Sequence, residues 1–155
     1  MKHLHFISIK LLVLIVITIA IAFSCNNQEL KKQVKRSKNP YGIGPVKKLE
    51  LNPINDSVMK LGAELFKTKC FECHTMEYKN TGPDISDILA YRKKEWVVNF
   101  LLNKDEMILR DSLAQLTMQR YDTVCAANIT KKDEALKLLE YFRVYQIWLH
   151  EFNAL

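Results

Sequence analysis

The chain has 155 residues, 48% of them hydrophobic, with 23 Lys+Arg against 17 Asp+Glu and a formal net charge of +6. That length bounds the architecture to one domain of modest core plus short appendages. The charge would suit a nucleic-acid binder if it were spread over the domain, but residues 51–155 hold 14 basic against 15 acidic residues, which excludes that class.

The N-terminus, "MKHLHFISIKLLVLIVITIAIAFSC", sets Lys2 and Lys10 before an apolar run from Leu11 to Phe23, broken only by Thr18. Those 13 residues rise about 20 Å as a helix, short of the ~30 Å hydrocarbon core of a bilayer. This is the layout of an export signal. The small Ser24 precedes Cys25, and the composition then turns polar, which resembles a bacterial lipobox with Cys25 as the lipidated residue. An uncleaved anchor helix is the alternative, and both readings tether the rest of the chain outside the cytoplasm. Residues 1–24 are read as lipoprotein signal peptide, 25–50 as lipidated N-terminus and basic flexible linker, and 51–155 as the functional domain.

The linker reading rests on seven basic residues against Glu29 and Glu50 in 25–50, and on "NPYGIGP" with its two prolines and two glycines. Its lysines would lie near anionic headgroups. Next, "DSVMKLGAELFK" predicts a helix with Asp56 or Ser57 as N-cap and Val58, Leu61, Leu65 and Phe66 as its apolar stripe.

That helix runs into "CFECH", residues 70–74. Two cysteines at this spacing serve three chemistries: a zinc knuckle, a redox disulfide, or covalent attachment of haem. A zinc site needs four ligands, and no second Cys-x-x-Cys or His pair follows downstream. A thioredoxin-like motif needs a strand before it and a βαβ context, and no alternating β-branched run occurs after residue 50. Cys-x-x-Cys-His is the haem c signature, with two thioethers from Cys70 and Cys73 and an iron ligand in His74. One covalently bound haem c with its iron is the expected cofactor.

Beyond the motif come "TGPDI", a middle helix in "YRKKEWVVNFLLN", and a final helix in "NITKKDEALKLLEYFRVYQIWLHEF". The last is N-capped by Thr130, and Ala135, Leu138, Leu139, Phe142, Tyr145, Leu149 and Phe152 recur along it at helical spacing. These elements together resemble a class I mono-haem cytochrome c over residues 57 to about 145. The resemblance implies an all-α bundle of three to five helices around the haem. It implies that Gly62 and Phe66 meet Tyr141 or Phe142 where the terminal helices cross. Pro83 would lie against the haem and accept the second N–H of His74, and Trp96 would face the haem or core. The sixth iron ligand would be Met118, with Tyr121 the aromatic that follows it. Here the sequence departs from the family, since no proline follows Pro83. Met107 stays open as the ligand, and "KDEMILRDSLAQLTMQRY" also reads as one continuous amphipathic helix. Cys125 is expected as a buried small residue and His150 as a surface one.

Function follows as expectation: a membrane-tethered periplasmic carrier of single electrons between respiratory redox proteins, not an enzyme, with no small-molecule substrate. The expected site is the periplasmic side of a bacterial membrane, the inner one favoured. Lys69, Lys79, Lys93 and Lys94 are candidates for steering partners. The competing readings are a haem enzyme or gas sensor with an open sixth position, and the electron-entry subunit of a terminal oxidase or nitrogen-oxide reductase.

Overall fold

The structure, a computed structural model, describes residues 39–121 and 128–152. Cys25 with its signal segment, and Cys125, lie outside the described residues. Among the described residues there are six helices and no strands: α1 (Asp56–Lys69), α2 (Ile88–Tyr91), α3 (Lys94–Leu102), α4 (Lys104–Arg110), α5 (Ser112–Met118) and α6 (Lys132–Phe152).

Helix α1 starts one residue earlier than its sequence suggests. Asn55 is the cap, its Oδ1 accepting from the Val58 N–H at 3.1 Å, while its own N–H donates to Glu140 Oε1 on α6 at 2.8 Å. The buried line on α1 is Gly62 and Phe66, continued by Cys70 just past its C-terminus, whereas Leu61 is 52% exposed. The reason is the crossing with α6. At Gly62 a side chain would run into the Lys137 carbonyl, so the two backbones touch there and the contact face centres on glycine rather than leucine. One turn on, Phe66 packs on Tyr141 (centroids 5.4 Å apart) and edge-on to Phe142 (6.2 Å, 88°). Phe66, Leu138, Leu139 and Phe142 are all nearly inaccessible, each stabilising the fold by about 1.5–3 kcal/mol on burial.

The stretch 104–118 is two helices, not one. Asp111 breaks it: its backbone is extended (φ −90°, ψ 121°), and its Oδ1 caps α5 through the Leu113 and Ala114 N–H groups at 3.1 and 2.9 Å. The same oxygen accepts from Trp96 Nε1 at 3.1 Å, so the break is locked to α3.

Residues 39–50, assigned from sequence to a flexible linker, are instead fastened to the domain as a belt. Asn99 is fully buried; it accepts from the Val46 N–H at 2.9 Å and donates to the carbonyls of Val46 (2.8 Å) and Tyr41 (2.9 Å). Asn103 donates to Ile43 O at 3.1 Å, and Glu95 Oε1 accepts from the Leu49 N–H at 3.0 Å. Gly42 takes φ +74°, a conformation that favours glycine, and lies against Met107 and Trp96. Backbone groups that a linker leaves to water are therefore met by side chains of α3 and α4. Farther along, Arg143 on α6 donates to Asn52 O at 3.2 Å.

Candidate haem site

The site is built at the C-terminus of α1. Cys70 caps that helix, its N–H donating to Phe66 O at 2.8 Å. The next turn closes tightly: the N–H groups of Cys73 and His74 both donate to Cys70 O, at 3.1 and 2.9 Å. Cys70 is buried, and Cys73 and His74 are half-buried.

After His74 the chain folds back on itself. Gly82 N–H donates to Cys73 O at 2.7 Å, Asn80 Nδ2 to Glu72 O at 3.2 Å, and Ile85 N–H to Thr75 O at 3.3 Å. Thr75 also bonds the Tyr78 carbonyl through its hydroxyl. This return lays residues 82–83 along the imidazole, and His74 Nδ1 stands 3.0 Å from Pro83 O. A carbonyl only accepts, so Nδ1 carries the proton and Nε2 keeps its lone pair for a metal. Gly82 makes the approach feasible, because a Cβ there would sit 2.6 Å from His74 Cε1 and 2.7 Å from Nδ1. The sequence reading passed over Gly82; its signal was a glycine directly before the proline expected on the histidine.

These observations meet the needs of haem c. Two cysteines and a histidine come from one tight turn, and the histidine is oriented and tautomerically fixed by a carbonyl. Among the described residues no group of three or more His, Cys, Asp or Glu is placed to hold a metal ion by itself, so the zinc alternative gains nothing.

Of the two methionines left open, Met107 is fully buried, and its Sδ takes the Ile43 N–H at 2.8 Å. It belongs to the seat of the belt. Met118 is the last residue of α5 and half-buried. The chain turns there, Tyr121 N–H donating to Met118 O at 3.3 Å, and the Lys79 ammonium lies 5.0 Å from the Tyr121 ring centroid. The turn holding Met118 thus meets the loop that follows His74. Trp96 is buried, stacked on Phe100 (5.1 Å, 14°), with the Arg92 guanidinium 5.1 Å from its ring centroid. His150 is exposed.

The candidate steering lysines differ in their freedom. Lys69 pairs with Glu134 at 3.0 Å, Lys94 stands 3.7 Å from Glu95, and Lys93 is exposed. Behind the loop, Glu77 Oε1 accepts from the Tyr145 hydroxyl at 3.3 Å. Desolvation and then the Glu77 charge push the Tyr145 phenol up to about 12. Asp87 is likewise raised, chiefly by burial, against a hydrogen bond from Tyr91.

An all-α domain with a Cys-x-x-Cys-His turn and a carbonyl-anchored histidine is a c-type haem protein. The chain belongs to the cytochrome c family, whose model matches residues 59–144. It is similar to solved structures of cytochrome c from Rhodothermus marinus. The cytochrome itself superposes with a TM-score of 0.66 at 29% identity, over 70% of this chain and 94% of that one. An engineered form, Rma TDE, gives 0.65 at 29% identity, over 70% and 95%. The same engineered protein bound to a carbene intermediate, 1-ethoxy-1-oxopropan-2-ylidene, gives 0.64 at 29% identity with the same coverage. No curated protein matches the chain.

Membership brings the family's cofactor, a covalently bound haem c with its iron, and its chemistry, haem-based electron transfer. The family is typically extracytoplasmic. No helix among the described residues is long and apolar enough to cross a membrane.

Proposed function

We propose that the protein is a membrane-tethered periplasmic electron carrier, with Cys70 and Cys73 holding one haem c by thioethers and His74 and Met118 as its axial ligands. Haem c, when bound, supplies one-electron cycling between ferric and ferrous iron. The chain's part is to fix the ligands. Pro83 orients His74 and strengthens it as a donor by accepting its N–H. Met107 is spent on the belt, which leaves Met118, on the turn beside the His74 loop, as the remaining methionine for the opposite face. Two protein ligands would leave no coordination site for a substrate; the observation that supports this reading is the contact of His74 Nδ1 with Pro83 O at 3.0 Å, which leaves Nε2 of the motif histidine for iron. Trp96, packed between Arg92 and Phe100, supports the core beside the haem.

The remaining elements of this reading come from the sequence. Cys25, lipidated, would hold the domain at the outer leaflet of the inner membrane, at high effective concentration near a donor and an acceptor protein. No nucleic acid and no small-molecule substrate enters.

A second reading, a haem enzyme with an open iron, draws on the engineered relative that holds a carbene intermediate. The test is to mature the full chain with haem, reduce it and add carbon monoxide. A carrier with His74 and Met118 both bound keeps its spectrum; a prompt low-spin carbonyl spectrum favours the enzyme or sensor. Mass analysis of the same preparation reads the anchor. A diacylglyceryl-modified Cys25 as the first residue supports the tether, and an intact Met1 with unmodified Cys25 removes it.

A further inference from the structure

The helix that ends at Met118 is fastened unevenly. Its start is pinned, because Asp111 caps α5 and accepts from Trp96 Nε1, which ties that end to α3. Its body packs on α4. Past its end, the backbone bonds among the described residues are local: Gln119 N–H donates to Gln115 O at 3.0 Å, Arg120 N–H to Thr117 O at 3.0 Å, and Tyr121 N–H to Met118 O at 3.3 Å. Such bonds fix the shape of the turn but not its distance from His74.

The contact that bears on that distance joins Tyr121, three residues past Met118, to the loop after His74. The Lys79 ammonium lies 5.0 Å from the Tyr121 ring centroid, within the range of cation–π attraction. The lysine stands on a fixed backbone, since both of its neighbours are anchored. Tyr78 N–H donates to Thr75 Oγ1 at 3.2 Å, and the same hydroxyl bonds the Tyr78 carbonyl. Asn80 donates from its N–H to Gly82 O and from its Nδ2 to Glu72 O, each at 3.2 Å. None of the ion pairs among the described residues includes Lys79, so no carboxylate there draws the ammonium off the ring. Lys79 itself is exposed, and Tyr121 is half-buried.

We propose that Lys79 is a positioning residue: its ammonium, seated on Tyr121, latches the Met118 turn to the loop after His74 and so slows release of the sixth iron ligand. This rests on His74 and Met118 as the axial pair. The latch exists only while the turn is closed on that loop, so the strength of the cation–π contact adds to the cost of opening. For an exposed pair that strength corresponds to about a two- to fivefold change in the open population.

The experiment uses the haem-loaded, ferric full chain mixed with imidazole, an outside ligand that binds iron only after methionine has left. The solution is held above the pKa of imidazole, so the ligand is neutral and the charge lost in the variant does not act on it. Lys79→Gln is expected to take up imidazole about two- to fivefold faster than the parent, with an unchanged melting temperature. Lys79→Arg restores the slow rate, because a guanidinium also stacks on an aromatic face. The acceleration by Lys79→Gln persists in a Tyr121→Phe background, which keeps the ring, and vanishes in Tyr121→Leu, which removes it. Should Tyr121→Leu fail to fold, the contrast of Lys79→Gln with Lys79→Arg decides. A methionine-to-ferric charge-transfer band in the parent is scored first. With the band present, equal rates in Lys79→Gln and the parent overturn the latch alone, as does an acceleration undiminished in Tyr121→Leu or unrescued by Lys79→Arg. With the band absent, the axial pair fails and the latch falls with it.

Discussion

Asn99 holds Val46 from both sides: its Oδ1 accepts the Val46 N–H at 2.9 Å, and its Nδ2 donates to the Val46 carbonyl at 2.8 Å. A single fully buried amide thereby stands in for the sheet or helix partner that this segment lacks. Asn99→Ala leaves these groups without partners inside the protein, and each orphaned polar group costs about 1–3 kcal/mol. The expected result is a loss of about 3 kcal/mol in urea unfolding, with new proteolytic cleavage confined to 39–50. A loss within 0.5 kcal/mol, as for a typical surface change, would mean that the belt is not held by this residue.

Gly62 is where α1 and α6 touch. A methyl group there meets the Lys137 carbonyl and lies 3.0 Å from Tyr141 Cβ. Neither is the end of a flexible side chain, so Gly62→Ala forces the helices apart and costs about 3 kcal/mol or more. Leu61→Ala, one residue away but exposed, is expected to change stability by about 0.5 kcal/mol or less. Thermal unfolding of the pair reads the contrast.

Gly82→Ala acts on the histidine instead. Its Cβ would fall 2.6 Å from His74 Cε1, so ring and carbonyl must part and the Pro83 bond weakens. A less electron-rich imidazole stabilises ferric iron less, so the reduction potential rises relative to the parent. Potentiometry of the two proteins at equal haem content checks the sign.

At alkaline pH the phenol of Tyr145 carries a specific signature. Its folded pKa of about 12 lies above the ordinary value, so the folded state keeps the proton longer than the unfolded chain does. The associated stability is fully present below about pH 10 and is lost as pH rises through the folded value. Tyr145→Phe should flatten the fall in stability over that window, seen in urea midpoints collected against pH. The parent should also show one late tyrosinate in ultraviolet titration that the variant lacks.

How much of this was legible in the sequence depends on the range of the interaction. The turn from Cys70 to His74 is local, so motif spacing reached it, and the proline that meets His74 nine residues on was implied by the family resemblance. The crossing of α1 with α6 was legible through Gly62 and Phe66, although the stripe expected to include Leu61 was rotated by the glycine contact. The belt was not legible, because "NPYGIGP" has linker composition and its partners lie more than 45 residues away. A trace was present in α3 and α4. Glu95, Asn99, Asn103 and Met107 recur every four residues on a largely buried face, and polar groups so placed need partners from elsewhere. Likewise Asp111 reads as one more polar residue in an amphipathic run until Trp96 is seen to bond it.

The central claim is that His74 and Met118 close both faces of the iron. The most direct measurement is the near-infrared spectrum of the ferric, haem-loaded protein beside Met118→Ala. A methionine-to-ferric charge-transfer band that disappears in the variant, with Met107→Leu keeping it, is the predicted result. A band insensitive to Met118, a thiolate-type spectrum that Cys125→Ser abolishes, or a high-spin ferric spectrum in the parent would contradict it.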